Sequence, residues 1–172
     1  MAYPTSSSRT GYVGTESPGD VLTAANFSKL PGGLVSYAQI TSSGSGLTGF
    51  TAISGLSVSC PGTASRMYKI TIGAAGFALG GTGTVTADFV VYDATASAAL
   101  SSTIIAAAFA VGQNTQGFVC HGYSQPGGAH NYQAVLQVAA GSGSPTVGVI
   151  ASASSGAART AYIMVEDVAI SF

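Results

Sequence analysis

The stretch Arg159-Thr-Ala-Tyr-Ile-Met-Val-Glu-Asp-Val-Ala-Ile-Ser-Phe172 decides the fold. Residues 161–165 are apolar without alternation, and their Tyr, Ile and Val favour an extended backbone. Successive side chains of a strand point to opposite faces, so an unbroken apolar run predicts a strand that is covered on both faces. Glu166 and Asp167 interrupt the run and indicate a bulge, the mouth of a sheet or a polar spot in an interface. We therefore predict a central strand of a β-sandwich that also takes part in a subunit contact.

The two faces of this strand should have different partners. We expect Ile163 to lie in the core of its own subunit. Tyr162, Met164, Glu166 and Phe172 lie on the opposite face and are predicted to form an oligomer interface, because Tyr and Met suit a shared surface and adapt to it.

Charged residues are scarce throughout the chain. They make up 6% of the 172 residues, with a net charge of -1, whereas about 25% is usual for a globular protein. Hidden surface is poor in charge, so this composition favours a surface covered by copies of the chain or by a larger lattice. A soluble surface coated with Ser, Thr and Gly is the alternative.

The same composition excludes several classes of partner and location. Five Lys and Arg without a patch predict no nucleic-acid binding, and no run reaches the roughly 18 apolar residues of a membrane helix. The first ten residues lack the apolar segment of a signal peptide, so we expect synthesis and folding in a cytoplasm. Cys60 and Cys120 are then predicted to be free, buried or semi-buried thiols, with a disulfide between them as the alternative.

The chain divides into an arm, residues 1–32, and a β domain, residues 33–172. The arm is polar and carries Pro4, Pro18 and Pro31; residues 23–30 form either a short helix or part of a loose tail. If helical, Phe27 and Leu30 share an apolar edge that could dock on a neighbouring protein.

From residue 34, short strands alternate with turn-forming residues, which predicts an all-β, antiparallel two-sheet jelly roll. The predicted strands are Leu34–Thr41, Thr48–Ile53, Leu56–Cys60, Met67–Leu79, Thr84–Tyr92, Ala99–Phe109, Gln116–Tyr123, Tyr132–Ala139, Thr146–Ala153 and Thr160–Phe172. The predicted turns are residues 43–46, 80–83, 125–128 and 141–145, all rich in Gly, Ser or Pro. Residues 99–109 could also be helical by propensity, but their Ser, Thr and Ile favour a strand.

The sequence contains few residues that could carry out catalysis or bind a metal. His121 and His130 flank the turn at 125–128 and could approach each other if their strands pair as a hairpin, but loop or interface positions are commoner than a metal site. No G-x-S-x-G elbow supports a hydrolase, and we expect no enzyme activity and no cofactor. Asp88 and Asp93 should face opposite ways, and Asp93 should cap the turn at 92–95.

Three basic side chains flank the most apolar strands. These are Arg66, Lys69 and Arg159, for which Asp88, Glu166 and Asp167 are the available carboxylate partners. Solvated charges at strand ends are the alternative interpretation.

Three stretches together resemble a family of tailed-phage virion proteins, common in phages of actinobacteria. They are Leu22-Thr-Ala-Ala-Asn-Phe-Ser-Lys-Leu-Pro-Gly-Gly-Leu-Val-Ser-Tyr-Ala-Gln-Ile-Thr41, the pair Ile53-Ser-Gly-Leu-Ser-Val-Ser-Cys60 and Ser65-Arg-Met-Tyr-Lys-Ile-Thr71, and Ala161-Tyr-Ile-Met-Val-Glu-Asp-Val168. Their order resembles an N-terminal arm, a "YA" strand, a "GLSV … R-Y-I" pair and a closing "VED" strand. Residues 80–155 match only in texture, and Cys60 stands where such proteins more often have Thr or Val.

The resemblance implies a jelly-roll module of the tumour-necrosis-factor and complement-C1q type, usually trimeric, on the exterior of a virion. It implies a capsid decoration protein that contacts the major capsid protein, or alternatively a tail-fibre or minor tail protein that binds a host receptor or glycan. No catalytic residues belong to that pattern.

Overall fold

The computed structural model of the protein describes residues 32–152 and 160–170, with only the backbone described at residues 152, 169 and 170. The predicted arm, with Phe27 and Leu30, therefore lies outside the described residues apart from Gly32, and so do Arg159 and Phe172. The strands are β1 (Gly33–Ile40), β2 (Ser42–Leu47), β3 (Gly49–Cys60), β4 (Arg66–Ala74), β5 (Phe77–Asp93), β6 (Ala98–Ala110), β7 (Asn114–Thr115), β8 (Phe118–Ser124), β9 (His130–Ser152) and β10 (Ala161–Ile170). No helix that could span a membrane occurs in these two ranges.

Two antiparallel sheets form a sandwich, as the sequence predicts. The four-stranded sheet has the order β1-β10-β4-β8. The six-stranded sheet has the order β2-β9-β5-β6, with β3 also paired to β9 and β7 to β5. The chain repeatedly crosses between the sheets, from β3 to β4, from β4 to β5 and from β8 to β9, so that neighbours within a sheet come from distant parts of the sequence. This order is that of a jelly roll.

The core lies between the two sheets and is built from the inward side chains of both. Phe77 and Phe89 of the six-stranded sheet meet edge to face, with ring centroids 5.1 Å apart. They pack in one buried cluster with residues such as Ile70 and Ile72 of β4 and Ile163 of β10. Because successive side chains of a strand point to opposite faces, every second side chain lies in this core layer.

β10 is the central strand that its apolar run predicts, because it pairs with β1 on one side and β4 on the other. Ala161, Ile163 and Val165 are fully buried, as expected for Ile163. Tyr162 and Met164 are only half-buried. Within the single chain only one face of β10 is covered, because the sandwich has two layers and the second face points away from the core. Coverage of the second face by a neighbouring subunit stays a prediction. The register shift after Asp167 is the bulge that the two adjacent acids indicated.

Two of the predicted turns are instead parts of long strands. Residues 80–83 lie inside β5 and residues 141–145 inside β9, and these two segments pair with each other. Gly81 and Gly83 adopt positive φ angles of 80° and 92°, and a Cβ at either position would lie about 2 Å from a carbonyl oxygen of β9. Glycine here permits two backbones to approach closely rather than ending a strand.

The remaining differences are smaller. The predicted strand 67–79 is broken at residues 75–76, where the chain changes sheet between β4 and β5. The two predicted strands at 48–53 and 56–60 are one strand, β3, with a register shift between Ala52 and Ser57. Residues 43–46 lie within the irregular strand β2, whereas 125–128 fall in the connection from β8 to β9 as expected. Residues 98–110 form strand β6 and not a helix.

Candidate interaction surface

The half-buried side chains of β10 lie on the outer face of the four-stranded sheet. The strand registers place its side chains in three rows that cross the sheet. We call this surface the tyrosine face, and its rows are Gln39, Tyr162, Gly73 and Val119; Tyr37, Met164, Thr71 and His121; and Leu34, Glu166, Lys69 and Tyr123.

Large apolar and aromatic side chains are exposed on both edge strands of this face, β1 and β8. Leu34 and Tyr37 on β1 are 63% and 47% exposed, and Val119 and Tyr123 on β8 are 54% and 57% exposed. They flank Met164 in the centre. The face thus exposes four large apolar side chains, two on each of its edge strands, and exposed apolar patches mark interaction sites.

A stacked tyrosine pair stiffens one corner of the face. The rings of Tyr37 and Tyr162 stack with centroids 6.4 Å apart and planes 23° from parallel. The Tyr37 hydroxyl donates to Gln39 Oε1 over 2.7 Å. Tyr162 also lies directly on the backbone of β4, because a Cβ at Gly73 would come within 2.5 Å of the Tyr162 ring. Rings held in this way lose little conformational freedom on binding a partner.

One polar side chain in the central row of the face, Thr71, is shielded from water. Thr71 lies between Met164 and His121 in the central row and is only 3% exposed although its side chain points away from the core. Its hydroxyl has no hydrogen bond to any described residue. Leaving a buried hydroxyl unpaired costs about 1–3 kcal/mol. Thr71 is therefore desolvated before any partner arrives, as residues at the centre of an interface are.

The charges at this end of the sheet are paired. Lys69 Nζ lies 3.9 Å from Glu166 Oε2, and both side chains are about one-third exposed, so the pair adds little stability. The Arg66 guanidinium binds Asp167 through both carboxylate oxygens, with Nε at 3.0 and 2.8 Å from Oδ1 and Oδ2. Of the two interpretations that the sequence left open, carboxylate partners or solvated charges, these contacts show carboxylate partners for Arg66 and Lys69. Asp88, on the other sheet, takes no part in them.

The two histidines do not form a site together. β8 and β9 belong to different sheets, so the hairpin that would bring His121 and His130 together is not formed. His121 is exposed on the tyrosine face, and His130 Nδ1 lies 2.6 Å from Asp93 Oδ2. Asp93 Oδ1 accepts the backbone N–H groups of Thr95 and Ala96 at 3.0 Å each, which confirms the predicted turn cap. Within residues 32–152 and 160–170 no three potential metal ligands cluster.

Both cysteines are free and buried, as predicted. Burial raises the pKa of the Cys60 thiol, and the nearby Asp167 carboxylate raises it further, while a hydrogen bond from the Gly62 backbone lowers it in part. Cys120 Sγ lies 3.3 Å from Ser101 Oγ. Burial and the raised pKa disfavour the Cys60 thiol as a nucleophile.

A second apolar cluster, on the outer face of the six-stranded sheet, was missed by the sequence analysis. Phe50 meets Tyr92 edge to face with centroids 5.0 Å apart, and the adjacent Val90 and Val135 are fully buried outside the main core. The alternation of side chains along a strand shows which of its residues share a face. Only the pairing of β3, β9 and β5, however, brings these side chains together.

Comparison with known proteins adds only a likeness of fold. No protein-family model and no curated protein matches the chain. The solved structures similar to it include the CBM22-1–GH10 modules of the Clostridium thermocellum endo-1,4-beta-D-xylanase 10B complexed with xylohexaose, at 12% identity over 77% of this chain and 28% of that chain, with a TM-score of 0.29. They also include the VP2 subviral particle of infectious bursal disease virus, at 11% identity over 78% of this chain and 41% of that chain, with a TM-score of 0.23. The chain spans less than half the length of either. TM-scores this low carry no inference about function.

Proposed function

We propose that the chain is a non-enzymatic structural protein of a tailed-phage virion, a capsid decoration protein that forms homotrimers on the outer shell. The observation that carries the proposal is the tyrosine face, an exposed apolar surface on the sheet whose central strand is β10. The phage assignment and the trimer rest on the sequence resemblance described above. Of the four proposed interface residues, Tyr162, Met164 and Glu166 lie among the residues that the structure describes.

A second copy of the chain fits this face for electrostatic reasons. Lys69 and Glu166 are paired within one subunit, so two copies can approach without an excess of either sign. Only 6% of the residues are charged, and interface centres are depleted in charge. Burying exposed Leu34, Tyr37, Val119 and Tyr123 would gain about 25 cal/mol per Å² of apolar area.

In this proposal the arm, residues 1–32, attaches the trimer to the major capsid protein, and Phe27 and Leu30 are its anchoring side chains. A decoration protein stabilises a shell by bridging capsomers and adding buried interface between them. The alternative is a tail-fibre or minor tail protein of the same fold that binds a host receptor or glycan.

Two measurements test the proposal. Multi-angle light scattering of the purified chain should give three times the 16.9 kDa chain mass, and a monomer at micromolar concentration would contradict self-association through the tyrosine face. Electron cryomicroscopy of virions that carry a tagged copy should then place density on the shell. Density at the tail would reject the decoration role in favour of the alternative.

A further inference from the structure

A small pocket of about 190 Å³ lies apart from the tyrosine face, where the connection from β6 to β8 passes over the start of β5. Its base is apolar. Leu79 and Ile105 are buried beneath it, and half-buried Phe118 closes one side against the core. Phe109 lines the opening and is 47% exposed, so its ring is available to a ligand.

The rim of the pocket is polar and uncharged. Gln113, Asn114 and Gln116 line it together with Thr115. No hydrogen bond joins the three side-chain amides to any other described residue, whereas the Thr115 hydroxyl donates to the Gln116 carbonyl over 3.2 Å. Each amide offers two donors and an acceptor. The rim can therefore bind a ligand whose groups both donate and accept hydrogen bonds.

The backbone that carries the rim is held in place. The Leu79 N–H donates to the Gln113 carbonyl over 2.8 Å, and the Gly112 N–H donates to the Leu79 carbonyl over 2.6 Å. Strand β7 continues this contact by pairing with residues 77–78 of β5. A ligand would thus find the pocket formed and would not have to order the loop, which lowers the cost of binding.

We propose that this pocket binds one neutral monosaccharide unit of a glycan. Sugar hydroxyls donate and accept, as the amides do, and the C–H face of a sugar ring can lie on the exposed ring of Phe109. No charged residue lines the pocket, which disfavours acidic sugars and phosphates. The volume is below the roughly 300–1,000 Å³ of sites for drug-sized ligands, and a purely apolar ligand would gain no hydrogen bonds from the rim amides.

The test is a titration of the ¹⁵N-labelled protein with the methyl glycosides of glucose, galactose, mannose and N-acetylglucosamine, followed by NMR. At least one should shift backbone amides within residues 105–118 and saturate with a Kd of about 1 mM or weaker, the affinity of a few hydrogen bonds and one ring contact. Phe109→Ala should weaken binding tenfold or more. Phe50→Ala is the matched control, because Phe50 is also half-exposed, at 52%, and lies outside the pocket.

Gln116→Ala is a second pocket variant, in case Phe109→Ala does not fold. The Gln116 side chain is exposed, so its removal should leave the structure intact and still weaken binding. Glucuronate and indole, added separately, test charge and polarity, and both should bind more weakly than the best neutral glycoside. The proposal is overturned if no glycoside shifts these amides at 50 mM, if indole binds more tightly than every glycoside, or if both pocket variants bind like the unmodified protein. None of these outcomes depends on the oligomeric state, so failure here leaves the proposed trimer standing.

Discussion

Asp substitutions at adjacent positions of β10 should fail in different ways. Ile163 is fully buried between the sheets, so Ile163→Asp removes a core side chain, at a cost of about 2–5 kcal/mol for the cavity and lost contacts. It also places a carboxylate where the neighbouring side chains are apolar, which adds several kcal/mol or forces the strand out of the core. The sum approaches the 5–15 kcal/mol that stabilises a typical domain. We expect insoluble or unfolded protein.

Met164→Asp should leave the subunit folded. Met164 is half-buried on the tyrosine face, where a carboxylate can still reach water, so the loss within one subunit should be about 1 kcal/mol. In the assembled trimer the same carboxylate would be buried without a partner, which costs several kcal/mol at each contact. The expected product is a soluble, folded monomer.

Solubility, circular dichroism and light scattering on the two variants separate these outcomes. Ile104→Asp is the matched control, because Ile104 is an apolar strand residue, 62% exposed, on the outer face of the other sheet. It should give a folded trimer. If Met164→Asp keeps the normal oligomer mass, Met164 does not lie in the interface. If Ile163→Asp folds normally, the argument for a buried core position is refuted.

Three further predictions concern the arm, an alkaline transition and the turn cap. Deleting residues 1–30 should leave a folded trimer by light scattering but abolish incorporation into virions, and normal occupancy of the truncated protein would show that the arm is not the anchor. Burial raises the pKa of the Tyr132 hydroxyl from 10.0 to about 12. The unfolded chain therefore loses the hydroxyl proton at a lower pH than the folded chain does. The free energy of unfolding, measured in urea, should fall as pH rises from 10 towards 12. Tyr132→Phe should show a shallower fall, because it removes the titrating group, and an unchanged slope would contradict this assignment. Asp93→Ala should lower the free energy of unfolding by about 1–3 kcal/mol, since it removes the partner of His130 and of two backbone N–H groups. Asp93→Asn, which keeps an acceptor for the turn, should cost clearly less, and equal losses would argue against the cap.

The sequence predicted those features that depend on neighbouring residues. The apolar run at 161–165 predicted a central strand, and alternation along the strand predicted that Ile163 and Met164 lie on opposite faces of β10. The character of Tyr162 and Met164 then indicated which face lies away from the core. Asp93 was recognisable as a turn cap because a cap bonds backbone groups two and three residues away. Such features need no knowledge of the rest of the fold.

Features that depend on a distant partner could not be predicted in this way. Residues 80–83 and 141–145 each have the composition of a turn, yet their glycines allow two strands to approach closely. The composition of each segment alone predicts a turn, and only its pairing with the other segment identifies it as part of a strand. The pocket under Phe109 and the rows of the tyrosine face are likewise made by strands from separate parts of the chain, and spacing within one strand does not report them.

The position of β10 between β1 and β4 also determines when this sheet can be completed during synthesis. β1 has β10 as its neighbour in the sheet, and β10 follows it by about 120 residues. At about 5–20 residues per second, a ribosome needs roughly 6–24 s to cover that distance. Throughout this interval β1 has no neighbouring strand within its sheet, and folds built from such long-range pairings are slow to form. Nascent chains should therefore depend on chaperones, and cooling or chaperone co-expression should raise the yield of soluble protein.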